Sequence, residues 1–191
     1  MVSITSLVLL AASSIASAAS VPLEARAAAF DSKMVYAYGA TPDAGIGGVR
    51  LTYGDGTAFV GNRPPSNVSV ASNITFSWDS SSGPIGISPN SSNVTFGQSQ
   101  YFYINPNGSA FDSVQISDSA PSDSYTDTGF VFYGNWLFWK SDAGKLESKF
   151  YATPSDENGV WTLKWNAGSS DDGTSVPISL RTIAPSENKR V

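Results

Sequence analysis

Short stretches of alternating apolar and polar residues, bounded by turn-forming residues, recur along most of this chain. A period of two places every second side chain on one face, which is typical of half-buried β-strands. The pattern predicts strands at residues 34–38, 49–53, 57–60, 68–71, 74–78, 94–96, 100–104, 113–116, 129–133, 136–140, 149–152, 160–165 and 176–181. No window carries a helical period long enough for a core helix. The chain is therefore predicted to be all-β, a single-domain β-sandwich or Greek-key barrel.

The sequence contains neither cysteine nor histidine. No disulfide can staple the fold, so the domain must be held by its own apolar core. The same absence excludes cysteine and histidine nucleophiles, histidine bases and the usual zinc sites. We predict no catalytic residues, no metal and no cofactor, and a protein that is not an enzyme.

The N-terminal residues 1–18 form an uncharged apolar run that ends in small residues, with Ala16 and Ala18 in the positions read by signal peptidase. The run is shorter than the roughly 20 residues of a membrane-spanning helix and is broken by Ser13, Ser14 and Ser17. It is therefore predicted to be a signal peptide. Residues 19–29, which include Arg26, are expected to be a short pro-segment or linker. The β domain is predicted to span residues 30–184 and a polar tail residues 185–191, in a protein that is secreted to the extracellular space or cell wall.

The formal net charge is -5, and lysine and arginine form no block along the chain. Binding to a phosphate backbone needs a basic surface, so nucleic acid is not an expected partner. No apolar run beyond the leader is long enough to cross a bilayer. The sequence favours a monomer outside the membrane.

Five Asn-x-Ser/Thr sequons fall within a short region of the chain. Their asparagines are Asn67, Asn73, Asn90, Asn93 and Asn107. In an exported protein these are predicted N-glycosylation sites, and we expect at least two to be occupied. The attached glycans would coat one face of the domain.

The densest aromatic stretch, residues 130–139, includes two strands joined at Gly134-Asn135. One interpretation is a hairpin whose rings fill the core. The other places Tyr133 or Trp136 on an open face as a platform for sugar stacking, with Trp161 as a further candidate. The sequence leaves both interpretations open.

Glycoside hydrolysis on a β-scaffold needs two carboxyl groups across a cleft. Glu147 and Glu157 are the best candidates, but Glu157 lies in a predicted turn and neither is in an aromatic mid-strand context. The acidic loop 170–174 could offer oxygen ligands to calcium, yet it lacks the regular spacing of a dedicated calcium loop. These residues therefore do not change the prediction of a non-enzymatic protein without a metal.

Several motifs together resemble the fungal phiA-type cell-wall proteins. They span residues 46–48, 73–76, 97–108, 114–121 and 128–130, and include a Gly-Gln lead into a Tyr-rich strand followed by an Asn-Pro-Asn-Gly turn. The likeness covers roughly residues 46–165, most of the predicted mature chain. Members of that family carry cysteines, so this cysteine-free chain would be a divergent relative to which no disulfide can be transferred.

The resemblance implies a secreted wall protein of conidium-forming fungal cells with a structural or interaction role, and it brings no catalytic residues. Related small secreted proteins act as elicitors of plant defence, which is the first alternative. A carbohydrate-binding module is the second. The expected partners are accordingly a cell-wall polysaccharide or a host surface protein.

Overall fold

The computed structural model describes residues 29–40, 45–79, 83–170 and 172–186. The predicted signal peptide, Arg26 and the end of the polar tail lie outside this part of the chain. The described residues form fifteen strands and no helix, so they contain no helix that could cross a bilayer. The strands are β1 (Phe30–Lys33), β2 (Tyr36–Gly39), β3 (Gly47–Gly54), β4 (Thr57–Gly61), β5 (Ala71–Trp78), β6 (Gly86–Pro89), β7 (Gln100–Tyr103), β8 (Phe111–Ser113), β9 (Gln115–Ser117), β10 (Phe130–Tyr133), β11 (Trp136–Lys140), β12 (Leu146–Glu147), β13 (Phe150–Pro154), β14 (Val160–Asn166) and β15 (Val176–Arg181).

Ten of these strands close into an antiparallel barrel, which confirms the predicted all-β fold. Each strand pairs with the next in the order β5, β6, β7, β9, β4, β14, β13, β15, β2, β3, and β3 pairs again with β5. The hairpin β3–β4 lies across this circuit, because β3 pairs with both β2 and β5 while β4 pairs with both β9 and β14. The other five strands extend the wall, and β10 joins it only through β11.

Alternating side chains of the wall fill an aromatic core. On β5 the buried residues are every second one, ending in Ile74, Phe76 and Trp78. Phe150 packs edge-on against Trp165 with ring centroids 4.9 Å apart. Burying each large apolar side chain contributes roughly 1.5–3 kcal/mol, which replaces the covalent staples that a cysteine-free chain lacks.

Most predicted strands are present, but two are wrong for identifiable reasons. Residues 68–70 lie in a loop, because the Asp55 carboxylate accepts the backbone N–H groups of Ser69 and Val70, each at 2.8 Å. These donors therefore bond to a side chain instead of a neighbouring strand. Residues 94–96 also form a loop, which packs Phe96 over Tyr53 with ring centroids 4.8 Å apart.

A bulge in β3 lies beside Tyr38 of β2. Ala37 pairs with Val49 and Tyr38 with Gly47, so Gly48 is one extra residue in β3. Its φ of +87° and the close approach of Pro185, 2.6 Å from where a Cβ would lie, both require glycine.

Candidate functional site

The outer face of β2, β15 and β11 carries the most distinctive surface of the barrel. β15 is the middle strand, and Arg181 pairs with Tyr36 of β2 on one side and with Trp136 of β11 on the other. Ile178 and Leu180 alternate inward to the core, so Ser179 and Arg181 point outward. The alternation of β15 thus places one cation in a row of outward-facing side chains.

These strands form a groove of about 400 Å³, which we call the aromatic groove. Its main lining residues are Tyr38, Trp136, Phe138, Ser148, Pro177, Ser179 and Arg181. The side chain of Trp136 remains 40% exposed despite its size. A large ring that stays accessible on a rigid sheet is a feature of ligand-binding surfaces.

Arg181 contacts two aromatic rings. Its guanidinium carbon lies 3.4 Å from the centroid of the Trp136 ring and 4.7 Å from that of Tyr38. Cation–π contacts of this kind stabilise by about 0.5–1 kcal/mol at exposed sites. Within the described residues the guanidinium has no ion pair, and its buried Nε has no hydrogen-bond partner.

The rim of the groove is fixed by hydrogen bonds from the segment that follows β15. The Tyr38 hydroxyl donates to the carbonyl of Ile183 at 2.8 Å. The Thr182 N–H donates to the carbonyl of Asn135 at 3.0 Å, and the Thr182 hydroxyl donates to the Asn135 Oδ1 at 3.1 Å. These bonds connect the β10–β11 turn and the Tyr38 hydroxyl to the segment after β15, so the Tyr38 ring has a fixed partner at its edge, as the Trp136 ring has in Arg181.

The structure divides the aromatic stretch 130–139 between the two interpretations left open by its sequence. Phe130, Phe132 and Leu137 are buried in the core, as the hairpin interpretation expects. Tyr133 and Trp136 pair at the end of the hairpin and remain exposed, as the platform interpretation expects. The two-residue turn has positive φ at Gly134, the first position of a type II′ hairpin.

The three carbohydrate-binding candidates are not all brought together. Trp136 lines the aromatic groove and Tyr133 flanks it as the cross-strand neighbour of Trp136. Trp161 is a half-buried residue of β14, opposite Val60 and Pro154, and does not line the groove. In its place the structure supplies Tyr38 and Phe138.

Sequence reasoning missed Tyr38, Phe138 and Arg181. The available signal was alternation, since Tyr36 and Tyr38 share one face of β2 while Ser179 and Arg181 share one face of β15. Alternation gives the face of each strand but not its neighbour. Only the pairing of β15 with both β2 and β11 brings these residues into one groove.

Glu157 holds the loop of residues 62–70 against the barrel. Its carboxylate accepts the N–H groups of Ser66 and Asn67 at 2.6 and 3.1 Å, and the Ser66 hydroxyl at 2.9 Å. Arg63 Nη1 donates to the same carboxylate at 2.6 Å. The hydrogen bond from the Ser66 N–H and then the Arg63 side chain lower the pKa of Glu157 to about 2.

Glu147 forms ion pairs with two lysines. Its carboxylate lies 3.0 Å from Lys149 Nζ and 3.8 Å from Lys145 Nζ. A general acid needs a raised pKa and access to the leaving group, whereas the pKa of Glu157 is lowered and Glu147 is paired with two cations. Neither carboxylate lines the aromatic groove.

The sequon asparagines occupy two environments. Asn67, Asn90, Asn93 and Asn107 are exposed, and none of them lines the aromatic groove. Asn73 lies within β5, is half-buried, and has a buried Oδ1 without a hydrogen-bond partner. The four exposed asparagines are therefore the accessible positions for a glycan.

The acidic loop around Asp172 is closed on itself. Its carboxylate accepts the hydroxyl and N–H of Ser175 at 2.6 and 2.7 Å and the N–H of Thr174 at 2.9 Å. The Ser175 hydroxyl and N–H are the main cause of a pKa well below the usual range for Asp172. No cluster of three or more potential metal ligands occurs among the described residues.

Comparisons with protein-family models, with curated proteins and with solved structures found no match for this chain. Function is therefore inferred from the residues of the aromatic groove together with the N-terminal leader-like run and the motifs of the sequence.

Proposed function

We propose that this chain is a secreted, non-enzymatic fungal cell-wall glycoprotein that binds wall polysaccharide through the aromatic groove. The proposal joins the leader-like N-terminus and the phiA-type resemblance to one structural observation. That observation is the exposed ring of Trp136, held in place by Arg181 in a groove that also contains Tyr38 and Phe138.

The chemistry of the groove suits a sugar ring. One face of a pyranose presents C–H groups that pack against the face of an aromatic ring, while its hydroxyl groups need polar partners at the edge. The groove offers both, because Ser148 and Ser179 lie among its apolar residues. Rings that are already ordered lose little conformational entropy when a ligand binds, which favours affinity.

The engagement of the carboxylates supports a binding role over a catalytic one. Glu157 uses its oxygens to hold the loop 62–70, and Glu147 is paired with Lys145 and Lys149. Hydrolysis by either would require releasing these partners. None of the exposed sequon asparagines lines the groove, which is compatible with glycosylation and polysaccharide binding on one small domain.

The test is retention of the purified secreted protein on insoluble chitin and β-1,3-glucan. We expect the wild type to be retained on at least one polymer and Trp136→Ala to bind about fivefold more weakly or worse, since loss of an aromatic anchor commonly costs about 1 kcal/mol or more. Val70→Ala is the matched control, because it removes another exposed apolar side chain away from the groove.

Two results would overturn the proposal. Equal retention of the wild type and Trp136→Ala would place binding elsewhere on the barrel. Absence of retention on any wall polysaccharide would remove the binding role itself. Thermal melts of each variant establish that the comparison is between folded proteins.

A further inference from the structure

Arg181 is the only charged side chain among the described residues that line the aromatic groove. The protein as a whole is acidic, with a net charge of -5. The single positive charge in the aromatic groove is therefore opposite in sign to the net charge of the protein. The charge of Arg181 adds a favourable electrostatic interaction only when the ligand is anionic.

The two Nη groups of the Arg181 guanidinium have no hydrogen-bond partner among the described residues. Its faces are the part that interacts with aromatic rings, and the guanidinium carbon lies within 4.7 Å of the centroids of both Trp136 and Tyr38. The N–H donors lie in the plane of the group: the Nε is buried and closed to a ligand, whereas the two Nη groups have no hydrogen bond or ion pair among the described residues. A planar guanidinium with free edge donors matches a carboxylate, which can accept two parallel N–H bonds.

We infer that the ligand of the aromatic groove is an acidic glycan, with Arg181 binding the carboxylate of a uronic acid beside the Trp136 ring. The inference rests on the proposed function and specifies its substrate class. Trp136 and Phe138 contact the sugar, and Arg181 determines specificity by selecting the charged sugar over its neutral equivalent.

The ligand pair that isolates the charge is polygalacturonate and its methyl-esterified form, which share one backbone and differ in the carboxylate. We expect the wild-type protein to bind the acid form at least about tenfold more tightly than the ester. A hydrogen bond to a charged group typically contributes enough free energy to change the affinity by more than tenfold. Added salt should weaken binding to the acid form, since the contact lies in an open groove.

Two variants assign the effect to Arg181. Arg181→Gln keeps a polar side chain without the charge and should remove the preference for the acid form. Arg50→Gln is the matched control, since it removes the same charge from an exposed residue outside the groove and should keep the preference.

Polyglutamate, a polyanion without sugar rings, should bind at least about tenfold more weakly than polygalacturonate if Trp136 contacts the sugar.

The outcomes separate this inference from the proposed function. Equal binding of acid, ester and neutral glucan would leave the proposed function intact and overturn the role of Arg181. Loss of the preference for the acid form in Arg50→Gln would show that the preference comes from general electrostatic attraction, and it would overturn the inference. Binding of polyglutamate as tightly as polygalacturonate would show the same. No binding to any polysaccharide would overturn the proposed function itself. Because the acid and ester are compared on the wild type, the test does not depend on Arg181→Gln folding.

Discussion

The guanidinium of Arg181 stacks 3.4 Å from the ring centroid of Trp136, although the two residues are separated by 45 positions in the sequence. The contact exists because β11 and β15 pair at these two residues. Arg181 covers one part of an exposed aromatic ring and fixes its orientation. Trp136 is thereby held at the surface, while Phe130, Phe132 and Leu137 of the same hairpin are buried in the core.

This arrangement predicts a contrast between two tryptophans. Trp136→Ala should lower the free energy of unfolding by about 1 kcal/mol, chiefly through the lost cation–π contact. Trp165→Ala should cost about 3–5 kcal/mol, because its ring is 1% exposed and packs against Phe150. Urea denaturation of the two variants measures the difference. Unfolding of the Trp136 variant at ambient temperature would show that the ring is a core residue.

Alternation is sufficient to predict most strands, and each exception has an identifiable cause. Gly86–Pro89 escapes detection because Gly and Pro weaken its strand signal, while Phe30–Lys33 has one apolar residue followed by polar ones. Residues 113–116 were predicted as one strand, and the structure divides them at Val114 into β8 and β9, which pair with different neighbours. A local pattern cannot specify that division.

The groove was less predictable than the fold. Trp136 was identified from the sequence because an aromatic cluster is visible without knowing any pairing. Arg181 and Tyr38 have no local signal, and their role arises from strand order alone. Trp161 lies close to Trp136 along the chain, but β14 and β11 are not neighbours in the sheet. Trp161 therefore does not line the aromatic groove, and its role as a binding residue stays a prediction.

Glycosylation should follow exposure in the folded barrel. We expect glycans on at least two of the exposed sequons at Asn67, Asn90, Asn93 and Asn107, and none on Asn73, which lies half-buried within β5. Protein secreted from a fungal host can be treated with an endoglycosidase and mapped by peptide mass spectrometry. An unshifted mass for the intact protein, or a glycan on Asn73, would contradict this prediction.

The carboxylate arrangement predicts an absence of hydrolytic activity. The wild type and the double variant Glu147→Gln/Glu157→Gln should both release no reducing sugar from chitin, β-glucan or polygalacturonate, because both side chains are engaged by neighbouring residues. A reducing-sugar assay measures this directly. Release by the wild type that disappears in the double variant would show that the protein is a glycosidase.

The β3 bulge predicts different tolerance at two adjacent glycines. Gly48→Ala should cost about 1–3 kcal/mol, because its φ is +87° and the new Cβ would lie 2.6 Å from the Cβ of Pro185. Gly47→Ala is the control, since nothing lies within 4 Å of its Cβ position. Thermal melts compare the two. Equal stability would show that the bulge and the packing of Pro185 do not constrain this strand.

The Glu157 clamp predicts a specific dependence of stability on acid. The hydrogen bond from the Ser66 N–H and then the Arg63 side chain lower the pKa of Glu157 from an ordinary 4.5 to about 2 in the folded protein. Because the folded value is the lower one, the clamp stabilises fully above the unfolded pKa and is lost as the pH falls from 4.5 towards 2. Glu157→Gln removes the charge at every pH. The difference in unfolding free energy between wild type and variant should therefore be largest at neutral pH and shrink steadily below pH 4.5.

Asp156→Asn removes a neighbouring exposed carboxylate and should leave the unfolding free energy nearly unchanged. Urea denaturation from neutral pH to pH 2 gives all three curves, and a difference for Glu157→Gln that stayed constant over that range would show that the carboxylate does not hold the loop.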